Sequence, residues 1–385
     1  MICNGEGLPV WAETEDGNAN DRKLHGERMV AELCGALSAE QLRDTLYVGD
    51  SALVTGPNLE RIRQAGLRLI SRIPENFSVT AQVKEAAWAA DDWVDVGPLA
   101  AAPRARSARY RISEQRARIE GCSYRMVVVH SDHLDERKQK LFDRHLKDER
   151  LQLHRRLDAA CKERFACQED AETAAGALLM QQDGALHALQ LKVERVTDAP
   201  RAQGRRSPRA YRIVGRILEP TPQRLEAERQ RRATFVLITN LEDPDTHPGR
   251  WILEEYRNQH AVESRFRMLK DPMFVDALYL HTPRRIEALS YVLVMACLIY
   301  SIFERRVRRS LADRRETIDL PGKRQSATPT ARALLLMLEG LTVARINEGP
   351  WQLAVPPSRR TYLDRLLHLA GCDLSVYADA VHGPP

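Results

Sequence analysis

The feature that most restricts the fold of this chain is an alternation of apolar strands and helices over residues 8–74. The pattern consists of a strand over 8–18, a helix over 21–37, a strand over 44–54, a helix over 57–65 and a strand over 67–74. Pro57 suits the first turn of its helix, and Pro74 closes the last strand. Because such alternation is typical of α/β proteins, we expect the beginning of an α/β core.

The pattern changes over 96–118, which is rich in Ala, Pro and Arg and only weakly periodic. Further along, the sequence predicts a strand over 125–132, two charged helices over 133–182, alternating strands over 187–196 and 209–218, and an apolar strand over 234–240. Helices are expected over 250–270, 283–309, 329–344 and 358–370. The predicted domains are a first part of the core at 1–95, a mixed α+β insertion at 96–232, a second part of the core at 233–310, and a helical tail at 311–385.

Length and cysteine content exclude several classes of protein. A chain of 385 residues is too long for one ordinary domain, and 43% hydrophobic residues suffice for a core. The seven cysteines include no Cys-x-x-Cys pair, which argues against a disulfide framework or a zinc finger and fits a reducing cytoplasm. The net charge of +5 is small, so the clustering of basic residues matters more than their number.

The longest apolar run covers 15 positions from Leu289 to Phe303. A membrane-spanning helix needs about 20 apolar residues, and basic residues flank this run on both sides. We expect a buried core helix here and no membrane contact; a membrane span is the alternative.

The helix predicted over 250–270 carries a line of polar residues. Tyr256, Glu263 and Lys270 recur at intervals of seven residues, and Gln259 and Arg267 share their narrow face at about 100° per residue. An apolar stripe is expected beside this face, made up of Val262, Phe266, Leu269 and Met273. Glu263 is therefore expected at the edge of the core on a rigid element, as a metal-ligating carboxylate requires. The alternative is an ordinary amphipathic surface helix.

The spacing Tyr-x2-Arg-x3-Glu-x6-Lys resembles the signature of insertion-sequence transposases with an RNase H-like DDE domain. Tyr256, Glu263 and Lys270 match it, and Gln259 stands where the signature has Arg, as is common in one subgroup. The strings EDGNANDRKL, VGDSALVTGPNL, LISRIP, FVLITN and YRNQHAVESRFRMLKDP resemble that subgroup in the same order. The resemblance covers nearly the whole chain. It implies an RNase H-like α/β core that is interrupted by the insertion and followed by helices.

The resemblance also implies a metal site. Asp50 resembles the second Asp of the family's catalytic triad and Glu263 its closing Glu, and both would bind Mg²⁺ or Mn²⁺ in a two-metal site. Two such ions about 3.5–4 Å apart can activate an attacking oxygen and stabilise the leaving one. Asp50 also follows a predicted strand at Gly49, a usual place for a ligand. A cap of the next helix or turn is the alternative role for Asp50.

DNA contacts are expected in two places. Arginine is dense and poorly balanced by acidic residues over 104–118 and 201–216, which suits phosphate contact; a solvated flexible loop is the alternative. The residues expected to contact DNA are Tyr256, Gln259, Arg267 and Lys270 by the resemblance, and Arg205, Arg206 and Arg209 in the second arginine-rich segment.

The family's first catalytic Asp has no evident counterpart. In RNase H-like cores this residue lies on a strand several dozen residues before the one predicted over 8–18, and seven residues precede that strand here. Asp16 and Asp21 follow the strand and are not expected to replace it. We therefore interpret the chain as a transposase truncated at its N-terminus and inactive. A decayed element, a mis-assigned start and one piece of a split gene are alternatives that the sequence leaves open.

The first hypothesis for function is a DNA transposase that cleaves and transfers strands at the ends of its element. It would act on double-stranded DNA, as a homodimer, in the bacterial cytoplasm at the nucleoid. The second hypothesis is a non-catalytic DNA-binding protein that inhibits or regulates intact transposase. A third, another RNase H-like nuclease, is disfavoured by the Tyr-Glu-Lys pattern.

Overall fold

The computed structural model describes residues 1–15, 28–99, 107–132, 136–182, 184–196, 210–270, 280–322, 324–344 and 352–374. The chain falls into two compact units. The sheet unit is Leu33–Tyr256, and the helical unit combines Met1–Glu32 with Arg257–Pro385. The signature residues are therefore divided, with Tyr256 in the sheet unit and Glu263 in the helical unit.

Among the described residues the strands are β1 (Ile2–Cys3), β2 (Pro9–Trp11), β3 (Leu46–Gly49), β4 (Arg68–Arg72), β5 (Val94–Pro98), β6 (Arg109–Ile119), β7 (Cys122–Ser131), β8 (Ala188–Val196), β9 (Ala210–Leu218), β10 (Thr234–Thr239), β11 (Ile318–Leu320), β12 (Arg324–Ser326), β13 (Val343–Ala344) and β14 (Gln352–Leu353). The helices are α1 (Val30–Ala36), α2 (Ala39–Asp44), α3 (Gly56–Ala65), α4 (Ser78–Ala90), α5 (Glu136–Lys162), α6 (Gln168–Met180), α7 (Pro222–Arg232), α8 (Gly249–Asn258), α9 (His260–Leu269), α10 (Pro283–Arg314), α11 (Ala331–Leu338) and α12 (Pro357–Leu369). A 3₁₀ turn, Ser51–Leu53, follows β3.

A six-stranded sheet in the order β3-β4-β10-β7-β6-β5 forms the centre of the sheet unit. β3 and β4 are parallel, with Val48 opposite Ile70, and the other neighbouring strands are antiparallel. Helix α8 buries Ile252 and Leu253 completely, in one apolar cluster with Ile70 and Leu237 of the sheet. The chain is therefore a mixed α/β protein, and β3 is an edge strand of its largest described sheet.

The predicted strand–helix–strand pattern over 44–74 is confirmed by β3, α3 and β4. Thr55 caps α3 by accepting a hydrogen bond from the Asn58 amide, and Pro57 lies in its first turn. Gly66 ends the helix in the left-handed conformation, with φ of 71°, which favours glycine. Local capping chemistry therefore sets the length of this helix and the start of β4.

The segment predicted as an insertion, 96–232, contributes to two substructures. β6 and β7 belong to the main sheet, whereas α5, α6, β8 and β9 pack around a separate apolar cluster. This cluster contains Leu153 and Leu157 of α5 and Leu189 of β8. The two helices and the antiparallel strand pair expected here are confirmed, while the domain boundaries stay a prediction.

The arginine-rich segment 104–118 is not a solvated loop where it is described, so that interpretation is wrong. Most of the described part is β6, a strand of the main sheet. Arg109 forms an ion pair, and the Arg111 guanidinium lies 4.9 Å from the ring centroids of both Trp88 and Trp93. These two arginines therefore make contacts within the fold.

Helix α10 is the longest element of the helical unit that is described. Its second half buries Val307 and Leu311, which pack with Leu334 of α11 and Leu366 of α12. These residues form the core of the helical unit, outside the apolar run that was predicted to be buried.

The first half of α10 contradicts the prediction of a buried helix. Tyr291, Val292, Met295 and Ile299 are 48–69% exposed, while Cys297 is fully buried. Apolar residues occur on nearly every side of this half of the helix, so the side that packs around Cys297 buries only some of them. Among the described residues, α10 is long and apolar enough to cross a membrane, by length and composition only. Its most apolar stretch has a mean hydropathy of 2.0, and 11% of that stretch is buried.

Candidate active site

Asp50 lies at the carboxyl end of β3, directly after Gly49. A Cβ at Gly49 would lie 2.7 Å from Leu53 Cδ2, so a larger residue there would have to displace the Leu53 side chain. Asp50 Oδ1 accepts a 2.9 Å hydrogen bond from the Ala52 amide, which confirms the predicted capping role. The Asp50 carbonyl oxygen accepts a 2.7 Å hydrogen bond from the Ser71 hydroxyl of β4. An exposed carboxylate is thus fixed at the edge where two parallel strands end.

Tyr47 contributes to the electrostatics around Asp50. Its side chain is buried, and burial raises the pKa of the phenol well above its ordinary value. The negative charge of Asp50 raises that pKa further. The phenol therefore stays protonated and neutral at physiological pH.

Tyr256 and Arg72 lie at the same edge of the sheet as Asp50. Arg72 is the last residue of β4, and its guanidinium carbon is 5.3 Å from the ring centroid of Phe235. The Phe235 ring is in turn 6.4 Å from the Tyr256 ring. Because β10 is antiparallel to β4, Phe235 near the start of β10 lies where β4 ends. The structure thus brings Asp50 and the signature tyrosine to one edge, with a cation that sequence reasoning missed.

A buried ion pair anchors α8, the helix that carries Tyr256. Arg125 of β7 is 3% exposed and makes two 2.7 Å hydrogen bonds to the carboxylate of Glu114 on β6. Arg125 also donates to the carbonyl oxygen of His247 at 2.6 Å, and Glu114 accepts from the Gly249 amide at 3.2 Å. The first turn of α8 is therefore fixed directly to the sheet.

The helix predicted over 250–270 is interrupted at Gln259, so the prediction of one continuous helix is wrong. Helix α8 buries Leu253 against the sheet, whereas α9 buries Met268 within the helical unit. The two halves pack against different partners, and the chain breaks between them. Tyr256 therefore lies on α8, and Glu263 and Arg267 lie on α9.

Glu263, Arg267 and Lys270 lie on α9 or directly after it. The Glu263 side chain is 57% exposed, and its Oε2 is 2.9 Å from His260 Nδ1. Arg267 and Lys270 are also exposed, and Lys270 is the C-cap of α9. These side chains can therefore be reached by a ligand from solvent.

The apolar stripe predicted beside them is wrong in part. Phe266 is 42% exposed, and Met273 lies outside the described residues. The buried residues of α9 are Arg265 and Met268. The packed face of α9 is therefore displaced from the predicted one and includes a buried charge.

Arg265 holds three parts of the helical unit together. Its Nε donates to the Gly7 carbonyl oxygen and its Nη2 to Glu304 Oε1, both at 2.9 Å. Glu304 also pairs with Arg308 at 3.1 Å and accepts a 2.8 Å hydrogen bond from the Ala331 amide, where α11 begins. The Arg265 and Glu304 side chains are each 5% exposed. A buried network, which sequence reasoning missed, therefore supports the helix that carries Glu263.

The two carboxylates assigned to metal offer the oxygen ligands that Mg²⁺ and Mn²⁺ prefer, and both are exposed. Asp50 belongs to the sheet unit and Glu263 to the helical unit. Among the described residues, no group of three or more His, Cys, Asp or Glu could hold a metal ion. A shared metal site stays a prediction.

Arg205, Arg206 and Arg209 lie outside the described residues. They belong to the connection between β8 and β9, whose ends are joined by the pairing of Val196 with Ala210. Their contact with DNA, like that of Gln259 on the interrupted helix, stays a prediction.

A cluster of aromatic and basic residues was also missed by sequence reasoning. Arg111 stacks on Trp88 and Trp93, and its Nε donates to His130 Nδ1 at 3.2 Å. His130 packs edge-on against Trp88, with ring centroids 5.4 Å apart. Burial lowers the pKa of His130 to about 4, and the Arg111 charge contributes in the same direction. His130 is therefore neutral at physiological pH.

A carboxylate at the carboxyl end of a parallel strand pair is in a usual place for a ligand in an α/β protein. A family model described as a transposase DDE domain matches residues 1–299, more than three quarters of the chain, and the chain belongs to this family. No match was found among curated proteins or solved structures. Membership confirms the resemblance to insertion-sequence DDE transposases and implies a DNA substrate. The family generally uses divalent metal ions.

Proposed function

We propose that the chain is a DNA transposase of an insertion sequence, with an RNase H-like core whose active site includes Asp50 and Glu263. The reaction of this class of transposase is strand cleavage at the ends of the element, followed by transfer of those ends to target DNA; because the assigned residues supply two of its three acids, we infer that this copy does not cleave DNA. The site of action is the bacterial nucleoid, with the chain bound to DNA as a homodimer.

The observation that carries the proposal is the position of Asp50. Its carboxylate is fixed at the carboxyl edge of the parallel β3–β4 pair, which is where ligands of α/β sheets commonly lie. Tyr256 and Arg72 lie at the same edge. An exposed acid at this edge suits the cleavage of a phosphodiester, which needs a metal ligand.

The reaction follows from these groups. Water attacks a backbone phosphorus, the bond to the 3′ oxygen breaks, and a 3′-hydroxyl is released. That hydroxyl then attacks a phosphodiester of the target and displaces its 3′ oxygen. A divalent metal pair, held in part by Asp50 and Glu263, would supply activation of the attacking oxygen and charge stabilisation of the leaving one. Exposed Lys270 and Arg267 would hold the DNA backbone beside the cleavage site.

A second function is favoured by the number of assigned carboxylates. Two metal ions need several carboxylate oxygens, and the assignment supplies Asp50 and Glu263 for a site that uses three acids in this family. A chain that binds DNA without cleaving it would occupy the sites of intact transposase and inhibit it. This regulatory role and transposition share the same DNA-binding surface and differ in cleavage.

The shared metal site can be tested without any catalytic activity. Fe²⁺ bound in place of Mg²⁺ generates hydroxyl radicals with ascorbate and peroxide, and these radicals cut the polypeptide near the metal. We expect fragments from cuts near Asp50 and near Glu263, both lost in Asp50→Asn. Asp44→Asn is the control, because Asp44 is an exposed acid just before β3 begins, at the end of the strand away from Asp50. This variant should leave both cuts in place. Cuts near one assigned carboxylate alone would show that the two do not share a metal.

A further inference from the structure

The β8–β9 ribbon, Ala188–Val196 paired with Ala210–Leu218, is a two-stranded sheet with one covered face. Its inner face packs on α5 through Leu189, Leu153 and Leu157. Gly215 lies so close to this packing that a Cβ there would be 2.5 Å from Leu191 Cδ2. The ribbon is therefore held firmly against the helices and cannot rotate to bury its other face.

The outer face of the ribbon carries its exposed charged residues. Successive residues of a strand point to opposite faces, so alternate positions of β8 and β9 form this surface. Its exposed residues are Gln190, Lys192 and Glu194 of β8, and Arg212, Arg216 and Leu218 of β9. Arg212 pairs with Glu194 at 3.3 Å, and Arg216 donates to Gln190 at 2.7 Å. These bonds run across the ribbon and hold the guanidinium groups along its surface.

Positive charge is concentrated in this part of the chain. Residues 188–218 contain eight Lys or Arg and two Asp or Glu, a net charge of +6, whereas the whole chain has a net charge of +5. The rest of the chain is therefore slightly negative. The two described strands carry Lys192, Arg195, Arg212 and Arg216 against Glu194, a net charge of +3, and positive charge on an exposed element is what binding to the phosphates of nucleic acid requires.

Another basic surface of the sheet unit is less suited to DNA. A cleft of about 600 Å³ is lined by Arg72, Lys84 and Arg232 among others. Glu75 lies 3.1 Å from Arg72 and 2.6 Å from Lys84, and Glu228 lies 2.7 Å from Arg232. Carboxylates within the cleft thus neutralise most of its cations, whereas the two strands of the ribbon keep a net charge of +3.

The dimensions of the ribbon match those of a DNA groove. Nine residues of extended strand span about 30 Å, which equals about nine base pairs at a rise of 3.4 Å. Two strands lie about 4.8 Å apart, and with side chains such a ribbon fits the major groove, about 12 Å wide, but not the minor groove, about 6 Å wide.

We propose that the β8–β9 ribbon lies in the major groove of duplex DNA with its outer face toward the base edges. Lys192, Arg212 and Arg216 contact the flanking phosphates and the groove floor. The proposal rests on the proposed function, which gives the chain DNA as its substrate, and adds the surface and the groove that are used. It assigns the main duplex-binding role to the insertion, apart from the residues of the cleavage site.

The test compares two triple variants that remove the same charges. The ribbon triple combines Lys192→Gln, Arg212→Gln and Arg216→Gln. The helix triple combines Lys147→Gln, Arg144→Gln and Arg155→Gln, which lie on the exposed side of α5, away from the ribbon. Affinity for a short mixed-sequence duplex is measured by fluorescence anisotropy at increasing salt. Each lost phosphate contact should reduce the log–log slope by about 0.9, so the ribbon triple should lose up to about 2.7 and the helix triple nothing.

The groove is assigned by competition with wild-type protein. Methyl green, which occupies the major groove, should displace the protein, and netropsin, which occupies the minor groove, should not. Equal slopes for the two triples, or displacement by netropsin alone, would overturn the ribbon proposal and leave the proposed function intact. A wild-type chain that does not bind duplex DNA at all would overturn both. Circular dichroism of both triples confirms that these exposed substitutions leave the fold intact.

Discussion

His130 shows how folding changes the charge state of one side chain. Burial beside Arg111 lowers its pKa from the ordinary 6.5 to about 4, so the unfolded chain binds a proton between these pH values and the folded chain does not. The contribution to stability is therefore complete above pH 6.5 and is lost as the pH falls toward 4. The loss is at most about 3 kcal/mol, since each tenfold change in proton affinity is worth about 1.4 kcal/mol.

Urea unfolding at several pH values between 7 and 4 tests this prediction. His130→Gln should give a flatter dependence of the free energy of unfolding on pH than the wild-type chain. His368→Gln, which changes an exposed histidine at the end of α12, should keep the wild-type dependence. An unchanged pH dependence in His130→Gln would mean that other groups control acid unfolding.

Single residues differ in how far the sequence predicts them. Asp50 could be found because it follows an apolar strand, and the same rule could have found Arg72 at the end of the next strand. Arg265 could not be found in this way. It has the charged side chain of a surface residue, and its partner Glu304 is 39 positions away, so no local pattern links the two.

At the level of elements, the position of α8 depends on the close approach of Gly249 to β6. A Cβ at this position would lie 2.6 Å from both Glu114 Oε1 and Ile112 Cδ1. Gly249→Ala must displace Glu114 from its pair with Arg125, so we expect a loss of about 1–3 kcal/mol in the free energy of unfolding. The midpoint of urea unfolding measures the loss.

A second helical glycine provides the control for this substitution. A Cβ at Gly176 in α6 meets nothing within 4 Å, so Gly176→Ala should stabilise the chain by up to about 1 kcal/mol. If both substitutions shift the midpoint in the same direction, the contact with Glu114 does not anchor α8.

The sequence predicted the elements that have strong local signals, but not the surfaces against which those elements pack. Alternation and capping predicted β3, α3 and β4 because these features depend on neighbouring residues. The interruption at Gln259 has no local sign in the sequence, because the residue keeps helical backbone angles and the apolar pattern continues past it. The exposure of α10 has no local sign either, since an apolar run does not specify what covers it.

For the whole molecule, we expect the purified chain to bind DNA but not to nick it with Mg²⁺ or Mn²⁺. Two assigned carboxylates can hold one ion loosely but not a pair in line with a scissile phosphate. Residues of such a site act as a unit, so one missing ligand removes most of the activity. The assay measures relaxation of supercoiled plasmid and cleavage of DNA that carries the element's own ends.

The control for this assay is Glu263→Ala. Metal-dependent cleavage by the chain alone, abolished in Glu263→Ala, would mean that a third ligand is present and was not recognised.

The uneven edges of the main sheet affect how the purified protein can be stored. β5 is protected at one edge by Pro98 and by the irregular register near Gly97, features that discourage another strand from pairing. β3 at the other edge, Leu46–Gly49, has no charge, no proline and no bulge, and no described strand covers it. Its protection is its length: four residues offer few hydrogen bonds to an added strand, so concentrated stocks should stay clear.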